Sequence, residues 1–160
     1  MSPRISVLTS VHNGEKYINE CIDSILNQTF SDFEYIILND GSTDRTKDIL
    51  EKYTDPRLRI FHQENLGISS SLNKGVRFSN CDLIARLDAD DYCLSNRLER
   101  QISIMNENPH VVLCGSRFHE LTGTKLSQQR VLFTENDHSI RKARSSFNPF
   151  AHSTVMIRKK

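Results

Sequence analysis

No stretch of this 160-residue chain approaches the ~18 consecutive apolar residues that cross a bilayer, and the opening MSPRIS lacks the apolar core of a signal peptide. The expectation is a cytoplasmic protein with no transmembrane segment, at most peripheral at the inner face of the membrane. Net charge is nearly absent. A formal +1, with basic residues scattered until Arg158, Lys159 and Lys160, gives no general attraction to nucleic acid. Cysteine is sparse too: Cys21, Cys81, Cys93 and Cys114 show neither C-x-x-C spacing nor the density of a disulfide framework. Each lies in or beside an apolar stretch, so buried free thiols are expected. Among six glycines none forms G-x-G-x-x-G or G-x-x-x-x-G-K-(S/T), so neither a dinucleotide fold nor a P-loop is supported. Asn27-Gln28-Thr29 matches a glycosylation acceptor, which carries no weight without a signal peptide.

What remains is one domain's worth of soluble chain, able to bury roughly 70% of its unfolded surface. Its apolar pattern alternates between two periods. Ile5 to Leu8, Phe33 to Leu38, Leu58 to His62 and Leu83 to Leu87 read as buried strands. Between them Tyr17, Ile18, Cys21, Ile22, Ile25 and Leu26 mark an amphipathic helix ending near Thr29, and Ile49, Leu50 and Tyr53 line a second. Ile68 to Phe78 forms a weaker helix, and Asn96 to Glu107 a fourth, stopped by Asn108-Pro109. Four strand–helix alternations with short connections argue an α/β fold, a mostly parallel sheet flanked by helices through right-handed crossovers. Val111 to Cys114 is a fifth strand. After Gly115 the rhythm fades into a hairpin about Thr122-Gly123, a short strand at Val131 to Phe133, a helix over Asp137 to Arg144 and a final strand over Ser153 to Arg158.

The richest stretch is LIARLDADDY, Leu83 to Tyr92, where an apolar run stops at three carboxylates in four residues. Asp88 and Asp90, two apart, point the same way if the extended geometry persists. Such a cluster repels itself unless a cation or a proton relieves it, and all-oxygen ligands suit Mg²⁺ or Mn²⁺. The leading reading is a divalent metal site for a phosphorylated substrate. An EF-hand fails because Cys93 stands where the loop needs Gly. A phosphatase-type DxDx(T/V) motif fails because Tyr92 replaces the small residue. A solvated acidic turn capped by Asp91 or Ser95 is the plain rival.

Ligands of an open parallel sheet bind beyond the carboxyl ends of its strands. Those four ends carry SVHNG, NDGSTD, QENLGISSS and DADD, while the opposite connections are plainer. A purely structural domain has no reason to gather its polar, Gly-containing loops on one rim.

Taken in order, ISVLTSVHNGEKYI, FEYIILNDGSTDRT, NLGISSSLNKG, ARLDADD and NPFAHSTVMIR resemble the successive motifs of family 2 glycosyltransferases with the GT-A (Rossmann-like) fold, from about Arg4 to Arg158. The resemblance implies one domain over 1–160: a nucleotide-binding half over 1–115 and the start of an acceptor-side extension over 116–160, truncated on the acceptor side. It places Ser10 and His12 at the nucleobase, His12 replacing the usual Tyr, and Glu15 near the ribose and base. Asp40 falls at the base reader; a carboxylate accepts from the ring N–H that uracil, thymine and guanine carry. Gly67, Ser70 and Asn73 would line the nucleotide side. Asp88 would contact the ribose, with Ala89 beside it. Asp90 would hold Mn²⁺ or Mg²⁺, Asp88 and His152 would stand by as further ligands, and Asp91 as an auxiliary.

The activity implied is metal-dependent transfer of a sugar from a UDP- or dTDP-sugar to a hydroxyl, with inversion, on an unknown saccharide or lipid-linked acceptor in cell-surface polysaccharide or glycoconjugate synthesis. The family's catalytic base follows the HSTVM-like segment in an acidic pair that this chain does not reach. Glu135 and Asp137 come too early, so the base is expected beyond Lys160 and the chain as given is expected to turn over poorly. Two other functions fit less well: a catalytically silent nucleotide-sugar-binding module, and a nucleotidyltransferase, which needs a basic Gly-rich first loop that SVHNGEKY lacks. Apolar surface around Phe147, Phe150 and Val155 is expected to invite self-association.

Overall fold

A computed structural model describes residues 4–122, 125–127 and 137–159. In chain order the elements are β1 (Ile5–Val11), α1 (Ile18–Leu26), β2 (Phe33–Asp40), α2 (Thr46–Leu50), β3 (Leu58–Gln63), α3 (Ile68–Phe78), β4 (Leu83–Arg86), α4 (Arg97–Glu107) and β5 (Leu113–Cys114). A hairpin of β6 (Leu121–Thr122) and β7 (Lys125–Leu126), then α5 (Asp137–Ala143), a 3-10 turn at His152–Thr154 and β8 (Met156–Arg158) complete it. The strand expected at Val131 to Phe133 lies outside the described residues.

Side-chain alternation divides the sheet into two faces. Ile5, Val7, Val11, Phe33, Tyr35, Ile37, Leu83 and Ala85 meet the inward stripes of α1 and α4 in the larger core. Leu8, Ile36, Leu38 and Ile84 turn the other way, toward Leu72, Val76 and Phe78 of α3. Both faces are covered, so β2 is buried along its whole length. Gly75 lets α3 sit close: a Cβ there would come within 2.2 Å of Leu8 Cδ1.

The strands lie in the order β3-β2-β1-β4-β8-β5. The first four pair in parallel, as the alternation implies. The fifth expected strand does not follow β4 directly. β8 runs antiparallel between β4 and β5, so the segment after residue 115 returns into the first sheet.

The four cysteines form no disulfide, Cys21 and Cys81 being buried and Cys93 and Cys114 half-buried. Burial pushes the Cys21 thiol up to about 12, against hydrogen bonds from Tyr35 and Thr9. Among the described residues no helix is long and apolar enough to cross a membrane. Of the three apolar residues expected to be exposed, Phe147 is open at 44%, whereas Phe150 and Val155 are half-buried.

Candidate functional site

The carboxyl ends of β2, β1 and β4 stand side by side, and strand parity sends their even-numbered residues toward the α3 face. Asp40, Ser10 and Arg86 fall in that set, and Asp88, just past the end of β4, meets the Arg86 side chain. The pairing Leu8↔Arg86 sets Ser10 level with Asp88 if the register runs on, and Ser10↔Leu38 sets Asp40 two residues further out. Only β1 separates the two acidic ends, a lateral spacing of roughly 10 Å. Asp40 and the acidic turn after β4 therefore share one rim.

Asp40 is buried, and its Oδ1 accepts from Gln63 Nε2 at 2.7 Å and from the Leu66 N–H at 2.8 Å. Burial pushes its pKa up, but the donors Leu66, Gln63, Ser71 and Gly67 outweigh that and hold it below the usual carboxylate range. His12, exposed beside it, has Nδ1 2.8 Å from the Asp40 carbonyl oxygen. That contact requires the Nδ1–H tautomer, leaving Nε2 to accept from the Asn13 and Asn65 amides at 3.3 and 3.4 Å. Gly41, at φ +69°, turns the chain immediately after Asp40. A Cβ on it would meet Asn65 N at 2.6 Å, so the first three loops pack against one another.

Each residue from His12 to Glu15 is fastened to the segment from Asp40 to Thr46. Asn13 N donates to Ser42 Oγ at 2.9 Å, and Asn13 Oδ1 accepts the Thr43 N–H at 2.8 Å. Gly14 N donates to Thr46 Oγ1 at 2.8 Å, and Glu15 N to Asp44 Oδ2 at 3.0 Å. Glu15 Oε2 accepts from both Arg45 N and Arg45 Nε, at 3.0 and 3.2 Å. Asp44 Oδ1, one residue before the N-cap position Arg45, also accepts the Thr46 N–H at 3.0 Å.

The acidic end is built differently. The extended geometry stops after Leu87: the Asp91 N–H bonds back to the Asp88 carbonyl at 3.1 Å, making residues 88–91 a turn. Asp88 Oδ1 is 2.8 Å from both Nε and Nη2 of Arg86, two residues back on the same face. Its backbone N–H donates to Ser153 Oγ at 2.9 Å. Asp90 is exposed. Partial desolvation raises the Asp91 pKa; the Ser153 hydroxyl opposes this, while the Asp90 and Asp88 charges add to it. Behind the turn, buried Arg97 donates from Nη2 to the Arg86 and Val155 carbonyls at 2.7 and 3.3 Å, fixing β4 to the segment entering β8.

Residues 6–159 match the family described as Glycosyl transferase family 2. The chain belongs to this family. It is 38% identical over 159 residues to the O-antigen biosynthesis glycosyltransferase WbnJ of Escherichia coli, covering 97% of this chain and 61% of that protein. It is 41% identical over 118 residues to the uncharacterized glycosyltransferase EpsJ of Bacillus subtilis, covering 72% of this chain and 34% of that one. The structure of S. aureus TarS 1-349 in complex with UDP-GlcNAc superposes with a TM-score of 0.78 at 25% identity, over 97% of this chain and 45% of that one. The mannosyltransferase PcManGT of Pyrobaculum calidifontis, solved with GDP-Man and Mn²⁺, shares the fold at a TM-score of 0.72 and 18% identity, with 45% of it covered. The fold is the GT-A arrangement expected, a mostly parallel sheet flanked by helices. The chain spans a third to about three-fifths of these relatives' lengths.

Within this family 2 chain the expected site residues fall into three groups. Asp40, His12, Ser10 and Gly67 line the end of the rim beside α3, and Ser70 and Asn73 are exposed on that helix. Glu15 stands at the same end, but its carboxylate is engaged by Arg45. Asp88, Ala89 and Asp90 form the turn at the other end. The three metal ligands do not assemble. Among the described residues no group of three His, Cys, Asp or Glu is gathered closely enough to hold an ion. Asp88 turns to Arg86, and His152 Nε2 lies 2.5 Å from Asn148 Nδ2. Sequence reading passed over Gln63, Asn65, Arg86 and Ser153. Parity could have found two of them, since Arg86 shares a face with Asp88 and Gln63 with Phe61; nothing local marks Ser153.

Proposed function

We propose that this chain forms the donor half of an inverting glycosyltransferase and binds a UDP- or dTDP-sugar along the rim, base at Asp40 and diphosphate at the 88–91 turn. What supports this reading is that Asp40 and Ser10 face the same side of neighbouring strand ends, with Asp88 bonded to Arg86 of that face. A nucleoside diphosphate covers that span. Asp40, kept ionised by its donors, accepts the ring N–H of uracil or thymine. The likeness to a TarS structure holding UDP-GlcNAc supports the same choice.

The donor set fits a hard cation held in part. Asp90, with Asp91 beside it, offers one or two carboxylates, and diphosphate oxygens and water complete the shell that Mg²⁺ or Mn²⁺ prefers. When bound, the ion neutralises charge on the departing diphosphate. In the transfer, an acceptor hydroxyl oxygen bonds to the anomeric carbon as its bond to the diphosphate oxygen breaks, and the hydroxyl proton passes to a carboxylate base. We assign that base to no described residue.

Calorimetry with UDP, with and without Mn²⁺, tests the reading. Asp40→Ala should weaken binding in both conditions, and Asp90→Asn should remove only the part that Mn²⁺ adds. Equal affinity with and without Mn²⁺ would end the ion's role; no UDP binding at all would end the donor assignment.

A further inference from the structure

We infer that Gln63 is the positioning residue that makes Asp40 a selective reader of the nucleobase, an inference that rests on the reading of Asp40 given above. Gln63 closes β3 directly opposite Asp40 in the parallel register. Both hydrogens of its amide are committed, one to Asp40 Oδ1 at 2.7 Å and one to Ser71 Oγ at 2.8 Å. Ser71 is buried on the first turn of α3, so the amide is anchored from the helix and aimed at the strand. With the Leu66 N–H also on Oδ1, that oxygen has two donors. With Ser71 and Gly67 as further donors to the carboxylate, its plane is fixed.

The amide has one workable orientation. Turned over, its oxygen would face the Asp40 carboxylate and the two would repel. In the orientation present, Gln63 Oε1 is buried and has no hydrogen-bond partner among the described residues. An unpartnered buried acceptor costs folding free energy. An apolar side chain of the same length would avoid that cost, so packing alone does not account for a glutamine here. What the amide provides is a rigid two-pronged donor that sets the direction in which Asp40 accepts.

A residue of this kind governs selectivity more than affinity in general. Uracil presents a ring N–H where cytosine presents a lone pair, and an aimed carboxylate separates them. The test compares UDP and CDP binding to the full chain by calorimetry. The unsubstituted protein should prefer UDP by at least about tenfold. Gln63→Met keeps the length and removes both donors; it should lower UDP affinity about tenfold, leave CDP within about twofold and so erase the preference. A side chain with only a packing role would weaken both nucleotides together, and that result would overturn the inference. Persistence of the preference in Gln63→Met would do the same while leaving the Asp40 reading intact. Equal affinities in the unsubstituted protein would defeat the Asp40 reading and this inference with it. If Gln63→Met does not fold, Ser71→Ala removes the amide's other anchor, along with a hydroxyl that itself donates to Asp40; the preference should then shrink about threefold, and an unchanged ratio would overturn the inference.

Discussion

Gln28, at the end of α1, caps α4: its Oε1 accepts the Leu98 N–H at 3.0 Å across seventy residues of sequence. Its Nε2 donates to the Leu94 carbonyl at 2.9 Å, and Thr29 N to the Ser95 carbonyl at 2.8 Å. The chain leaving the acidic turn is therefore bolted to the far side of the sheet. Gln28→Leu strands a helix N–H and a carbonyl in a buried place, at a cost of about 2 kcal/mol. Urea unfolding should show a lower midpoint with an unchanged slope.

At the amino ends of β1 and β2, Glu34 is buried and collects Ser6 Oγ at 2.5 Å, Asn80 N at 2.7 Å, Asn80 Nδ2 at 2.8 Å and the Arg59 guanidinium. Burial raises its pKa, but these donors prevail and the net shift is downward. A carboxyl group whose folded pKa is depressed stabilises fully above its unfolded value, about 4.3. That stabilisation is lost as pH falls through the lower folded value. Glu34→Gln should thus cost about 3 kcal/mol at pH 7, and the gap from the unsubstituted protein should narrow below about pH 4.3. Thermal unfolding of both proteins across pH 3 to 7 checks the sign; a gap that widens on acidification would contradict it.

The contact between α3 and β1 predicts the outcome of an otherwise favourable substitution. Gly75→Ala gains about 1 kcal/mol of helix propensity, yet the new methyl meets both terminal carbons of buried Leu8, at 2.2 and 3.0 Å. Overpacking of this degree costs about 1–3 kcal/mol, so the net change is destabilising. In a Leu8→Ala background the same substitution should become neutral or stabilising. A double-mutant cycle on these two sites measures the coupling directly.

Glu15 and Arg45 form a pair whose substitution separates a ligand contact from a clamp. The backbone N–H and the Nε–H of Arg45 both fall on Glu15 Oε2. If Glu15 acts by holding the loop, Glu15→Ala and Arg45→Ala should weaken UDP binding to within about twofold of each other, each by only a few-fold because the pair is largely exposed. A much larger loss for Glu15→Ala alone would return it to the ribose.

The strands and helices of the first half were legible because their signals are local. Period-two and helical apolar spacing in residues 5–107 located four strands and four helices, and the carboxyl rim followed from their alternation. The weaker signals came after residue 115, where elements of two or three residues leave no period to read. β8 owes its place between β4 and β5 to contacts with Arg97 and Gln101, residues more than fifty positions earlier.

The sequence by itself settled which residues face which side of the sheet and which loops share its rim, because backbone geometry repeats every two or 3.6 residues and needs no distant partner. Only the tertiary structure decided which carboxylates are already occupied. Arg86 takes Asp88, Arg45 takes Glu15 and Gln63 takes Asp40, whereas Asp90 stays open to solvent. A hydrogen bond is chosen by whatever group the fold brings within 3 Å, and apart from Arg86 those partners come from loops or strands more than twenty residues away.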